Sequence, residues 1–126
     1  MILGVGIDLI EVDRIRASRE RFGDRFLRRI LLPAEVDYCL SQRDPGPFLA
    51  VRFAAKEAIS KAFGTGIGTQ LGWLDMEICH RESGEPYVVL HGKALPLLER
   101  RGGTAVLVSL SHTRQHATAV ALLIRE

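Results

Sequence analysis

The chain has 126 residues, of which 47% are hydrophobic and 25% charged, with a formal net charge of +2. That composition suits one soluble globular domain, spanning 1–126, that buries a core of its own, and it excludes a disordered chain. A charge of +2 by itself gives no case for a nucleic-acid partner. The N-terminus lacks the basic and apolar regions of a signal peptide, and no apolar run approaches the ~20 residues of a membrane span, so a cytoplasmic location is expected. Cys39 and Cys79 belong to no CxxC pair and no zinc spacing. They read as free thiols in a reducing compartment.

Residues 2–12, ILGVGIDLIEV, are short, apolar and β-branched, and predict a strand. Alternation sends Leu3, Val5, Ile7 and Leu9 to one face and Gly4, Gly6 and Asp8 to the other. The glycines leave space beside the Asp8 carboxylate for close approach by another group. Asp13 is a candidate N-cap for the following helix. Seven arginines fall between Arg14 and Arg29. A helical projection puts Arg14, Arg21, Arg25 and Arg28 on one side and Ile15, Phe22 and Phe26 beside them, with Gly23 a candidate break. Pro33 suits the start of a helix over 33–42, and 43–47 (RDPGP) read as a turn.

The alanine-rich stretch 48–63, FLAVRFAAKEAISKAF, predicts the clearest helix, closed by Gly64. After a glycine-rich loop, LDMEIC and PYVVLH read as strands joined at Ser83-Gly84. Residues 92–101 suggest a short helix, and TAVLVSLSHT and HATAVALLIR two closing strands. A strand, several helices, then mostly strands argue an α+β domain with an antiparallel sheet.

The 48–63 helix carries Arg52, Lys56 and Ser60 at i, i+4 and i+8, with Glu57 and Lys61 a second i, i+4 pair. This polar band reads either as a solvated face or as a ligand face, with Glu57 binding metal and Arg52, Lys56 and Lys61 meeting phosphates. Magnesium takes one or two carboxylates and completes its shell with water and phosphate oxygens, so Asp8 and Glu57 could serve as the pair. Asp8 could equally cap or pair with an arginine. The GTGIG loop at 64–68 reads as a helix cap or as an anion-facing run of amides. His112, at the end of VSLS, is a possible base, a phosphate contact or a surface residue. His80, His91 and His116 have no supporting context.

Taken together, GVGIDLIEVDRI, RFAAKEAISKAFGTGIG and VSLSHT resemble the holo-acyl-carrier-protein synthase family, small single-domain phosphopantetheinyl transferases, in motif order and over the whole length. The resemblance implies that Asp8 and Glu57 bind magnesium with the coenzyme A pyrophosphate, and that Lys61 lies near the phosphate attacked. It implies that Arg52, Lys56, Ser60, Gly64, His112 and Thr113 help hold coenzyme A. It also implies an α+β fold and a homotrimer with each site between neighbouring subunits. The expected reaction moves 4′-phosphopantetheine from coenzyme A onto a serine of an apo acyl carrier protein in fatty acid biosynthesis. The serine's base is open among a water on the metal, Glu57 through water, Glu35 and His112.

Acyl carrier proteins are acidic, so the arginines of 14–29 are a candidate dock, and Arg14, Arg21 and Arg25 are also candidates for the 3′-phosphate of coenzyme A. Leu32 stands where the family commonly has a threonine, which removes a side-chain helix cap. Two rival readings are a magnesium phosphohydrolase using the same carboxylates with water, and an RNA- or nucleotide-binding module built on the arginines. The second lacks interleaved exposed aromatics.

Overall fold

The computed structural model describes all residues from Met1 to Glu126. In chain order the elements are β1 (Ile2–Glu11), α1 (Val12–Phe22), α2 (Asp24–Ile30), α3 (Pro33–Leu40) and α4 (Pro45–Phe63). A single 3-10 turn (Trp73–Asp75) leads to β2 (Met76–His80), β3 (Pro86–Leu90), α5 (Ala94–Arg100), β4 (Ala105–His112) and β5 (His116–Ile124). Strands β1, β5 and β4 form an antiparallel sheet in that order, and β2 and β3 form a separate hairpin. The α+β expectation with an antiparallel sheet is thus what the chain adopts. No helix is long and apolar enough to cross a membrane.

Helix α4 lies across the inner face of the sheet. Its Ala50, Ala54, Ala58 and Ala62 are buried, as are Ala117, Ala119 and Ala121 of β5. Small side chains on both surfaces let helix and sheet approach closely. The closest approach is at β1, where a Cβ on Gly4 would collide with the Ala62 carbonyl and one on Gly6 with the Ala58 carbonyl. The open space foreseen beside Asp8 is therefore filled by the backbone of α4. The opposite face of β1 carries Val5, Ile7 and Leu9, which are 58%, 64% and 67% exposed.

Several boundaries differ from the sequence expectation. Helix α1 starts at Val12, so Asp13 lies in its first turn and pairs with Arg16 at 3.5 Å. Helix α4 starts at Pro45, not at 48, because Asp44 accepts the Gly46 N–H and a proline at N1 has no N–H to satisfy. Asp44 is held in turn by Arg16, whose two terminal nitrogens reach its carboxylate at 2.7 and 2.9 Å. Arg16, through that hydrogen bond, lowers the Asp44 carboxyl to about 2. Gly23, at φ 70°, does divide the arginine-rich segment into two helices. At α3, the Glu35 carboxylate accepts the Leu32 N–H at 2.9 Å, which is one half of a capping box; the other half, a side-chain acceptor at the N-cap, is missing because position 32 is leucine.

Candidate active site

Three of the residues singled out from the sequence meet at one place. Asp8 sits on the inner face of β1, and its backbone carbonyl accepts a 2.8 Å bond from the Thr118 hydroxyl of β5. Lys61, in the last turn of α4, donates to the Ile7 carbonyl at 2.9 Å and to Asp8 Oδ1 at 3.2 Å. Glu57, one helical turn earlier, projects beside them. Partial burial raises the Glu57 carboxyl above its ordinary value; the charge of Asp8 raises it further, and Lys61 opposes both. The Asp8 and Glu57 carboxylates, together with the adjacent Ile7 carbonyl, make a set of hard oxygen donors. That set fits magnesium, which needs only one or two carboxylates from the protein. No group of three or more His, Cys, Asp or Glu side chains converges anywhere in the chain.

Arg52 and Lys56 do not join that cluster. Successive α4 residues step 100° around the axis, so Lys56 points well away from Glu57. Both Arg52 and Lys56 are buried, at 1% and 0% exposure. The Lys56 ammonium donates to Glu35 Oε1 at 2.7 Å, the Ile30 carbonyl at 2.8 Å and the Trp73 carbonyl at 3.1 Å. With all three donors used internally, Lys56 is not free to meet a phosphate. Burial lowers its pKa, opposed chiefly by Glu35. Glu35 accepts from Leu32, Lys56 and the Ile78 N–H, which removes it from the candidate bases.

The Arg52 guanidinium lies 4.4 Å from the centre of the Tyr38 ring, with Nη2 3.3 Å from His80 Nδ1. The His80 ring stacks on Tyr38 at 5.1 Å. Sequence reading assigned His80 no context, since its partners come from α3 and α4. The Ser60 hydroxyl is buried within the chain and donates back to the Glu57 carbonyl at 2.7 Å. Gly64 ends the helix at φ 82°.

His112 ends β4, Thr113 follows it, and β5 lies between β4 and β1. The exposed His112 ring packs edge-on against Phe48 at 5.1 Å. The Thr113 hydroxyl accepts the Gln115 and His116 N–H groups at 3.2 and 3.1 Å and so shapes the turn. Within one chain these two residues are remote from Asp8 and Glu57.

The arginines divide between surfaces. Arg25 and Arg29 rim an apolar groove of about 380 Å³ floored by Phe22, Phe26, Phe53 and Trp73. Arg28 instead borders a different groove with Asp24, Val36 and Leu74. The single-face projection fails because Gly23 breaks the helix. Arg14 is exposed on α1.

A carboxylate pair with a lysine, set where a helix crosses a sheet edge, offers donors for a hard cation beside a positive charge for an anion. Residues 4–121 match the family model described as the 4'-phosphopantetheinyl transferase superfamily. The chain is 49% identical over 123 residues to the holo-[acyl-carrier-protein] synthase of Koribacter versatilis, covering 98% of each. It is 51% identical to that of Chlamydia trachomatis serovar D over 96% of this chain and 98% of the other. Its structure superposes on the Neisseria meningitidis synthase with a TM-score of 0.92 and 34% identity, covering 99% of this chain and 100% of that one. The Helicobacter pylori synthase, solved in complex with coenzyme A, gives 0.84 and 32%, over 94% and 98% of the chains. The chain belongs to the holo-[acyl-carrier-protein] synthase family of phosphopantetheinyl transferases.

Proposed function

We propose that this chain, acting as one domain over residues 1–126, transfers 4′-phosphopantetheine from coenzyme A to a serine of an apo acyl carrier protein. The observation that carries this is the Asp8, Glu57 and Lys61 cluster in a chain of this family. The serine oxygen forms a bond to the β-phosphorus of coenzyme A. The bond from that phosphorus to the bridging oxygen breaks, and adenosine 3′,5′-bisphosphate leaves with the electron pair. The serine proton passes to a base, for which Glu57 acting through water and the exposed His112 remain candidates.

Magnesium, when bound by Asp8 and Glu57, would neutralise the pyrophosphate and the charge that builds on it. Lys61 supplies a further positive charge at the same phosphate. Glu57 and Asp8 orient the cation side of the site, and the α4 backbone against Gly6 fixes their spacing.

The acidic carrier is proposed to dock on the arginine-rimmed groove of α2, with Phe22, Phe26, Phe53 and Trp73 taking an apolar side chain and Arg14, Arg21 and Arg25 steering it. Arg14 is also a candidate for the 3′-phosphate of coenzyme A. A homotrimer is proposed, in which His112 and Thr113 of one subunit complete the site of the next. What supports it is the separation of these residues from Asp8 within one chain, and the exposed apolar face of β1. The reaction is placed in the cytoplasm and in fatty acid biosynthesis.

Intact-protein mass spectrometry of an apo carrier incubated with enzyme, coenzyme A and magnesium tests the reading. The carrier gains the mass of the phosphopantetheine arm, chelator abolishes the gain, and Glu57→Gln cuts the rate at least about a hundredfold while circular dichroism is unchanged. Near-normal turnover by Glu57→Gln would remove the metal role. Apparent KM for the carrier rises with ionic strength, and a flat response would count against docking through arginines.

A further inference from the structure

Lys61 holds two of the oxygens that face the site. Its ammonium bonds the Ile7 carbonyl at 2.9 Å and Asp8 Oδ1 at 3.2 Å. The lysine side chain is 51% exposed and that of Asp8 19%. The lysine therefore already sits as a cation on the carboxylate that the reading above assigns to magnesium. An ion pair with a half-exposed lysine is weak, and a four-carbon stem lets the ammonium swing away at small cost. A divalent cation on Asp8 would take the carboxylate's charge and repel the ammonium through the same few ångströms.

We propose that Lys61 is the site's exchangeable cation, pairing with Asp8 and Ile7 when no metal is present and released by metal entry to bind the phosphate of coenzyme A. The proposal rests on the assignment of Asp8 and Glu57 as the metal pair and adds to it a coupling between two ligands. Without metal, Lys61 is committed to the protein and gives coenzyme A little. With metal, it is free, and its charge turns to the incoming pyrophosphate. In the metal-free state the lysine also offsets the charge of Asp8, so Asp8 and Glu57 do not face each other as a bare pair. A lysine fixed to the phosphate position in both states would give no such coupling.

The test is a binding cycle on the full chain with Lys61→Met, and with Lys61→Gln as a second variant of different shape and polarity. Free Mn2+, read by electron paramagnetic resonance without coenzyme A, reports the competition. Both variants bind Mn2+ about two- to fivefold more tightly than the parent. Calorimetry then reports coenzyme A affinity in chelator and in saturating magnesium. The variants match the parent in chelator to within about twofold, and are weaker by about tenfold or more in magnesium.

Two results would overturn the exchange while leaving the metal pair intact: unchanged Mn2+ affinity in both variants, or an equal loss of coenzyme A affinity with and without magnesium. Mn2+ that binds neither parent nor variant, with coenzyme A binding indifferent to chelator, would overturn the metal pair and the exchange together.

Discussion

Arg52 is a buried cation with no carboxylate against it. Its Nε is the one buried side-chain nitrogen or oxygen in the chain without a hydrogen-bond partner. Its charge is met by the face of Tyr38 and by His80 Nδ1, which can receive an N–H from Arg52 only while the imidazole is neutral. Burial, and then the charge of Arg52, hold the His80 pKa below its ordinary value. The unfolded chain therefore takes up this proton at a higher pH than the folded one. Stability declines as pH falls through the ordinary imidazole value, about 6.5, toward the lower folded value, and is level again below it. His80→Asn, scanned by thermal denaturation between pH 7.5 and about 5, is expected to lose part of that slope. An unchanged slope would assign it to other groups. Cys39, by contrast, is inert: burial pushes its thiol up to about 11.

At the scale of elements, the Glu35–Lys56 pair is a fastening. It joins the C-terminus of α2 through Ile30, the start of α3 through Leu32, the 3-10 turn through Trp73 and β2 through Ile78, all to the middle of α4. Lys56→Met is expected to cost about 3–5 kcal/mol in urea unfolding, because Glu35 is left charged and unpaired. The double variant Glu35→Met/Lys56→Met is expected to recover most of that loss. A double variant as unstable as the single one would show that packing, and not the orphaned charge, carries the cost.

The order of elements was legible in the sequence because strand alternation, the alanine-rich run and the glycines at 23 and 64 are local signals. Asp8, Glu57 and Lys61 were legible from residue chemistry as one reading among others, and only the resemblance favoured their meeting, since nothing in their spacing brings β1 to α4. The inward turn of Lys56 was not legible. Residues at i and i+4 look alike whether their face meets water or a buried carboxylate 21 positions away. The same holds for Arg16 and Asp44, 28 positions apart, where a turn signal concealed a helix start.

For the whole molecule, the outer face of the sheet is the feature without a counterpart. Val5, Ile7 and Leu9 of β1 lie in register with Leu122, Val120 and Thr118 of β5, and Leu107 of β4 pairs with Leu122. Leu107 is itself 50% exposed. An apolar patch of this kind marks an association surface. The proposed homotrimer places it between subunits, and the double variant Ile7→Glu/Leu9→Glu is then expected to sediment as monomers in analytical ultracentrifugation and to lose activity with the shared site. A variant that still sediments as a trimer would move the interface elsewhere.

The strand order also bears on how the chain acquires its shape. β1 is an edge strand whose only neighbour is β5, with Ile2 opposite Ile124 and the Asp8 carbonyl waiting for the Thr118 hydroxyl 110 residues later. On a ribosome, β1 emerges before β5 and thus has no ladder to join until β5 is made. Closing so long a loop is slow relative to forming the helices between. The strand that carries Asp8 is made well before the one that seats it.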